Sequence, residues 1–452
     1  MDVFCYLFAN FMQTILMKKV VILCFLFAFA LSTSGQEGFL LEKDVDKVVV
    51  PFKMINNLIF IPIKVNGIVL NFLLDSGVEE TLLFSMEDKK EVSFFNVEKI
   101  TLRGLGSETS IEGLKSNKNT LEIPGMKSTN HMLYIILDQN FNLSSHIGIP
   151  VNGIIGYHFF KNNLIEINYE KKRITIYRDN NKNRNNIEKR FEEIPITIEK
   201  LKPYIKGSVI IDAVEIPTKL LIDIGNSDAL WLFQNKSDII KVPEKNFEDY
   251  LGKGFSGDVE GKRAQIKKFT MSKFEFHNPV IAFPDTISVR NVTMVKDRAG
   301  SVGAEIMKRF YVVFDYPNQK MFLRKNREFD SPFSYNKSGI ELQHYGLQWV
   351  QETVSLETVP ISEGANMSNN FRYKFALKPV YLIANVRKNS TAALSGIQKE
   401  DILVSINGIP AYRYSLEKIN SILKSEEERW ITLEIERNNQ LLKIKFQLLN
   451  VL

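Results

Sequence analysis

Residues 68–84 read IVLNFLLDSGVEETLLF, and residues 216–233 read IPTKLLIDIGNSDALWLF. In each, an apolar run ends in Asp, a variable residue and Gly: Leu74-Asp75-Ser76-Gly77 in one, Ile222-Asp223-Ile224-Gly225 in the other. Short runs rich in Leu, Ile and Phe, bounded by turn residues, predict strands. Each strand therefore delivers a carboxylate at its end, and the Gly two positions on permits a tight turn that a Cβ would obstruct. Further along, Gly156 follows Ile154-Ile155 and Gly303 follows Ser301-Val302. Asp75 and Asp223 are 223 − 75 = 148 positions apart, and Gly156 and Gly303 are 303 − 156 = 147 apart. From Gly156 onward the halves align without gaps. Lys161 matches Lys308, the run Leu164 to Ile167 matches Tyr311 to Phe314, and Asn168-Tyr169 matches Asp315-Tyr316. The chain carries an internal duplication.

Working outward, both halves read as mostly β, with Asn-Gly, Pro-Asn and Gly-rich turns at roughly ten-residue intervals. Brief helices are predicted only around 157–161 and 304–310. Residues 178–190, RDNNKNRNNIEKR, have little to bury and read as a connector. Composition shifts again near 330–338. The boundaries that follow are 1–35 for an N-terminal extension and leader, 36–180 for the first lobe, 181–330 for the second and 339–452 for a C-terminal unit.

The Asp-Ser-Gly and Asp-Ile-Gly strands, with the later Ile-Ile-Gly and Ser-Val-Gly, resemble the lobes of aspartic proteases of the retropepsin and pepsin clan. The likeness covers residues 40–328. It implies two tandem retropepsin-like β-barrel lobes forming a pepsin-like bilobal unit, with Asp75 and Asp223 meeting at a pseudo-twofold axis as the catalytic pair. Ser76, Gly77, Ile224, Gly225, Gly156 and Gly303 would support the pair. Two carboxyls this close share one proton; the ionised one activates a water and the protonated one donates to the peptide carbonyl. The substrate implied is an unfolded or extended polypeptide, and no cofactor or metal is required. Hairpin flaps over the cleft are expected at 103–107 in the first half and 252–257 in the second. Two positions depart from the family pattern. Ile224 stands where Thr or Ser supplies a hydroxyl that braces the opposite loop, and Ser301 stands where an apolar residue belongs.

Residues 380–410, VYLIANVRKNSTAALSGIQKEDILVSINGIP, are followed by a helix with Leu416, Ile419, Ile422 and Leu423 at helical spacing and by a final hairpin in 430–448. Ser395-Gly396-Ile397, Asp401-Ile402-Leu403 and Ile406-Asn407-Gly408 in this order resemble a PDZ domain, an α+β unit. PDZ domains add an extended peptide, often a C-terminus, to a sheet edge. The carboxylate-binding loop is expected at Tyr345, Gly346 and Leu347, with 375–377 second, while Leu416 and Ile419 are expected to be core.

Composition closes off other classes. The chain has 452 residues, 44% apolar and 24% charged, with net charge +6. Lys and Arg alternate with Asp and Glu, so no basic block points to nucleic acid. The five His residues never fall at metal-ligand spacing. The two cysteines, Cys5 and Cys24, both lie in the N-terminal stretch, which leaves no disulfide framework. From Met17, MKKVVILCFLFAFALSTSGQE has the charged start, apolar run and small-residue end of an export signal. Cleavage after Gly35 leaves 452 − 35 = 417 residues and no cysteine. The expectation is a monomer exported to the bacterial periplasm, cell envelope or medium. It would act as an aspartic endopeptidase whose PDZ unit captures peptide segments or C-termini. The competing reading is a pseudo-protease that serves as a peptide-binding scaffold.

Overall fold

In the first half the strand Leu58–Val65 turns through Asn66-Gly67 into Ile68–Leu74. In the second, Lys202–Ile211 turns through Asp212-Ala213 into Val214–Asp223. All four turn residues have positive φ, as a two-residue turn matched to strand twist requires. This computed structural model describes residues 38–84, 92–102, 111–137, 143–234, 239–254, 257–289, 295–355 and 371–452. The leader reading of 1–35 and the flap expected at 103–107 lie outside them.

The two halves share one connectivity. Ile68–Leu74 runs parallel to Gly153–Ile155, which pairs antiparallel with Thr81–Leu83, and that strand runs parallel to Met126–Ile136. Val214–Asp223 likewise runs parallel to Arg298–Gly303, which pairs antiparallel with Leu230–Leu232, and that strand runs parallel to Val280–Pro284. The strands on either side of each Asp are covered on both faces: Phe72, Leu74, Ile155, Ile222 and Val302 are all fully buried. Near-continuous apolar sequence there is what a strand buried on both faces needs.

A six-stranded sheet joins the halves, in the order Glu192–Pro195, Lys320–Lys325, Phe310–Asp315, Leu164–Asn168, Arg173–Tyr177, Lys47–Pro51. Its central pair is antiparallel, with Ile165 opposite Phe314, Glu166 opposite Val313 and Ile167 opposite Val312. Because 313 − 166 = 147, Glu166 faces its own repeat equivalent, and the pseudo-twofold axis passes between them. Beneath lies a core shared by both halves, where Phe160 packs 5.1 Å from the rings of both Phe314 and Tyr316. Truncating Phe314 to Ala there costs about 3–5 kcal/mol.

The connector differs from its reading. Asn181–Glu188 is a helix, capped by Asn180 Oδ1 accepting from the Asn183 N–H. Arg184 bridges Asp179 and the buried Asp315, and Ile187 packs with Leu164, Phe191, Val313 and Phe322. One cap, one ion pair and one buried side chain suffice to order it.

The C-terminal unit is a sheet in the order Ile340–Ser355, Phe371–Val386, Ile402–Ile406, Trp430–Arg437, Gln440–Gln447. The helix Leu416–Leu423 starts at Ser415, whose Oγ accepts from the Lys418 N–H, and lies beside the Ile340–Ser355 strand. Leu416, Ile419 and Leu423 are buried against Ile340, Leu342 and Ile383, as expected of core positions. The architecture is thus mostly β, with two related lobes and a C-terminal α+β unit. Gly38–Leu452 packs as one unit. Among the described residues no helix is long and apolar enough to cross a membrane.

Candidate active site

Strand geometry brings the two carboxylates together. The Asp75 N–H donates to Ile155 O at 2.9 Å, and Asp223 sits opposite Gly303 in the parallel ladder. Each Asp is thereby fixed at the end of a buried strand pair, and the two carboxyls are in hydrogen-bond contact. The glycines make room. A Cβ on Gly225 would lie 2.1 Å from Asp75 Cγ, and one on Gly77 would lie 3.0 Å from Asp223 Cγ. Each loop therefore presses its Gly against the opposite carboxyl. Gly156 and Gly303 clear the loops from behind, since a Cβ would lie 2.1 Å from Val78 O and 2.2 Å from Asp228 O respectively.

The bracing between loops is one-sided. Ser76, fully buried, donates through Oγ to Ile222 O at 2.7 Å and accepts the Ile224 N–H at 3.1 Å. Ile224 is also fully buried, but its side chain joins the apolar core and returns no hydrogen bond. Lobe-to-lobe contacts at the rim supplement the brace. Asn57 donates to Ser227 O at 2.9 Å and to Glu305 Oε2 at 2.8 Å while accepting from Lys308 at 3.0 Å, and Lys202 pairs with Glu79 at 3.1 Å.

Electrostatics distinguish the two acids. Burial pushes the Asp75 carboxyl well above the ordinary carboxylate range, and the neighbouring Asp223 charge pushes it further. Burial also raises Asp223, but the Arg298 guanidinium and the hydrogen bond from Asp75 pull the other way. The arrangement favours a protonated Asp75 donating to an ionised Asp223. Arg298 is itself buried, with Nε donating to Gly300 O at 3.0 Å and a terminal nitrogen donating to Ser301 Oγ at 2.9 Å. Ser301 is therefore the partner of a buried cation, which accounts for a polar residue at a position read as apolar. Sequence reading missed Arg298. The available signal was the Arg three residues before an out-of-pattern Ser.

The pair opens into a cavity of about 1090 Å³. One wall is the antiparallel hairpin Asn246–Gly254 with Gly257–Gln265, which contains the described part of the second expected flap. The helix Leu143–Ile147 forms another. A third is the C-terminal unit, through Glu341, Leu342, Gln343, Asn420 and Lys424. A buried row of alternating charge ties that unit to the Asp223 loop. Arg387 lies 3.8 Å from Asp249, Asp249 accepts from Arg263 at 2.6 Å, and Arg263 donates to Asp228 at 2.7 Å. On residues lining this space, Asn226 Nδ2 is buried without a protein partner, and the buried Tyr250 hydroxyl lies against Asp258. Such groups mark places where a ligand's acceptors can bind.

Tyr345, Gly346 and Leu347 lie on the ribbon formed by Ile340–Ser355 and Phe371–Val386, where Tyr345 and Leu347 are each 62% exposed. Residues 375–377 lie on the same ribbon. In the same strand, Ile340 and Leu342 share a core with the Leu416–Leu423 helix, and His344 lies with Leu416 beside Gly148.

Residues 382–437 match the PDZ domain family. No curated protein matches the chain. Among solved structures, the crystal structure of aspartic proteinase from Irpex lacteus is similar at a TM-score of 0.41 and 12% identity, over 63% of this chain and 98% of that one. The C-terminal unit carries a PDZ domain.

Proposed function

We propose that the chain is an exported aspartic endopeptidase in which Asp75 and Asp223 hydrolyse peptide bonds. The observation that carries this reading is the hydrogen-bond contact between two partly buried carboxyls, each held across from the other lobe's glycine and open to a large cavity. Asp223, favoured in its ionised form by Arg298, takes a proton from the attacking water. Asp75 donates its proton to the carbonyl oxygen. The resulting tetrahedral carbon expels the amine, which leaves with a proton returned from the pair. Asn226, Tyr250 and the hairpin edge offer hydrogen bonds to an extended substrate backbone. The PDZ domain captures peptide segments or chain ends, as PDZ domains generally do. The signal-like stretch 17–35 supports export to the periplasm or cell envelope of a bacterium.

A second reading, a peptide-binding pseudo-protease, is favoured by one observation: Ile224 leaves the brace one-sided. The two separate in a single assay. The purified protein is expected to cleave an unfolded polypeptide at acidic to neutral pH, to be blocked by a statine-type inhibitor, and to lose activity as Asp75→Asn or Asp223→Asn. Equal background from wild type and both variants would leave only the scaffold.

A further inference from the structure

The two lobes line the cavity with residues at equivalent positions of the repeat. Leu73 and Leu221 each stand two residues before the Asp of their lobe. Leu73 pairs with Phe60 and Ile154, and Leu221 pairs with Tyr204 and Ser301, in the same two ladders. Counting from these partners, Leu58 is the counterpart of Lys202 and Ile154 the counterpart of Ser301. Val78 and Asn226 each stand three residues after their Asp.

The chemistry of the two half-sites differs at every one of these positions. In the first lobe Leu58, Val78 and Ile154 line the cavity and pack in one apolar cluster with Phe60 and Leu73. In the second, Lys202 and Asn226 line it, and Ser301 accepts from Arg298, which lines it as well. Both cations have partners: Lys202 pairs with Glu79 at 3.1 Å, and Arg298 donates to Gly300 O at 3.0 Å and to Ser301 Oγ at 2.9 Å. Asn226 is held by its oxygen, which accepts the Asp228 N–H at 3.0 Å, while its Nδ2 has no protein partner. The second half-site thus keeps one neutral donor unused.

Successive side chains of an extended chain point to opposite faces. With a peptide carbonyl at the carboxyl pair, the two residues flanking the bond therefore go one to each lobe. An apolar side chain beside Leu58, Val78 and Ile154 removes apolar surface of both partners from water. Beside Asn226 the same side chain would strip water from a polar group and return no hydrogen bond, which a site built on donors penalises. A carboxylate there would meet Glu79 and Asp228, which line the same wall, together with the ionised member of the pair, and like charge disfavours it. A neutral acceptor meets neither penalty. Nδ2 carries two hydrogens, so it can serve a side-chain oxygen and a backbone carbonyl together.

We propose that Asn226 determines specificity, and that the bonds cut join an apolar residue to one with a neutral acceptor in its side chain, Asn, Gln, Ser or Thr. This inference rests on the hydrolytic reading above. The apolar residue lies against the first lobe and its neighbour against the second, where the side-chain oxygen accepts from Asn226 Nδ2. The water oxygen bonds to the carbonyl carbon, the C–N bond breaks, and the amine leaves protonated.

The test uses the purified protein and unstructured peptides of common sequence in which the two residues flanking one bond are varied over Leu, Asn, Gln and Asp, with products identified by mass. Pairs of Leu with Asn or Gln are expected to be cut with kcat/KM about tenfold above Leu–Leu and Leu–Asp pairs. Asn226→Val copies the residue of the first lobe and is expected to turn the preference toward Leu–Leu. Asn226→Asp keeps the oxygen that holds the Asp228 N–H and removes only the donor, so it is expected to lose the preference with the loop intact. Val78→Asn should relax the demand for an apolar residue on the other side of the bond. A wild type that cuts Leu–Leu pairs best, or a profile that neither Asn226 variant shifts, overturns the proposal. Binding of the same peptides to Asp75→Asn, followed by fluorescence polarisation, reads the half-sites without hydrolysis. A tenfold preference for the Leu–Asn and Leu–Gln pairs that disappears when Asn226→Asp is added supports the proposal even if the wild type cuts nothing. Equal affinities, no binding, or a preference that survives Asn226→Asp overturn it even if the protein is an active endopeptidase.

Discussion

Ser76→Ala removes a single oxygen from the place where the two lobes are braced. That oxygen is fully buried and serves both groups flanking Asp223: it donates to Ile222 O at 2.7 Å and accepts from the Ile224 N–H at 3.1 Å. Without it, a carbonyl and an N–H on the opposite loop lose their partner. An orphaned buried polar group costs about 1–3 kcal/mol, so the pair amounts to about 2–4 kcal/mol once the loop relaxes. No redundancy cushions the loss, because Ile224 has no hydroxyl to supply the reciprocal bond. Urea unfolding should therefore show a lower midpoint at unchanged slope. The rate should fall further than stability does. A shift of about 1 Å in Asp223 costs about 100-fold, and the orphaned groups sit one residue either side of it. Ser76→Thr keeps the hydroxyl and is expected within about 1 kcal/mol of wild type, close to the cost of an added buried methyl. If Ser76→Ala unfolds at the wild-type urea concentration and cuts an unfolded polypeptide at the wild-type rate, the one-sided brace has no energetic role and the reasoning fails.

Three further outcomes follow from the same site. Gly225→Ala places a Cβ 2.1 Å from Asp75 Cγ, whereas Gly77→Ala meets Asp223 at 3.0 Å, so turnover should be abolished in the first and only reduced in the second. Arg298→Met removes the cation that pulls Asp223 down; its carboxyl rises, and the acid limb of the pH–rate profile should move up by about one unit, the low end of what a nearby opposite charge does to a carboxyl. The raised Asp75 carboxyl keeps its proton in the folded state at pH values where the unfolded chain has lost it, so wild-type stability should decline as pH rises from about 4 through the folded value. Asp75→Asn should flatten that decline, matching wild type below about pH 4 and exceeding it at neutral pH in thermal unfolding.

Much of the scaffold was legible because its determinants are local or periodic. Each Asp closes an apolar run, and the 147-residue offset that aligns Glu166 with Val313 also sets the central antiparallel pair. The brief helices after Gly156 and Gly303 fall at Tyr157–Phe160 and Ala304–Met307, inside the ranges read for them. What escaped reading depends on partners distant in sequence. The Asn181–Glu188 helix owes its order to Asp315, 131 positions from Arg184. The packing of Ile340 and Leu342 against the Leu416–Leu423 helix could not be read locally, because that helix lies some 70 residues downstream.

The departures from symmetry are concentrated in the second lobe, and they act together. A pair built from two identical halves places both carboxyls in equal surroundings, so either can hold the shared proton. Here Ile224 removes a hydroxyl from the Asp223 loop, while Ser301 admits Arg298 to the strand beside it. The lobe that contributes less to bracing is the lobe that supplies a cation. Burial raises both carboxyls, and Arg298 pulls against that rise at Asp223 alone, so Asp75 is the more strongly raised of the two. Duplication within one chain permits this, since each copy can be altered alone. Restoring symmetry at one position should therefore be less informative than restoring it at both. Ile224→Thr alone adds a hydroxyl beside an already biased pair, whereas Ile224→Thr combined with Arg298→Met returns the proton to a shared position. If the double variant keeps the wild-type acid limb, the cation is not what assigns the roles, and the difference between the two aspartates must arise from burial alone.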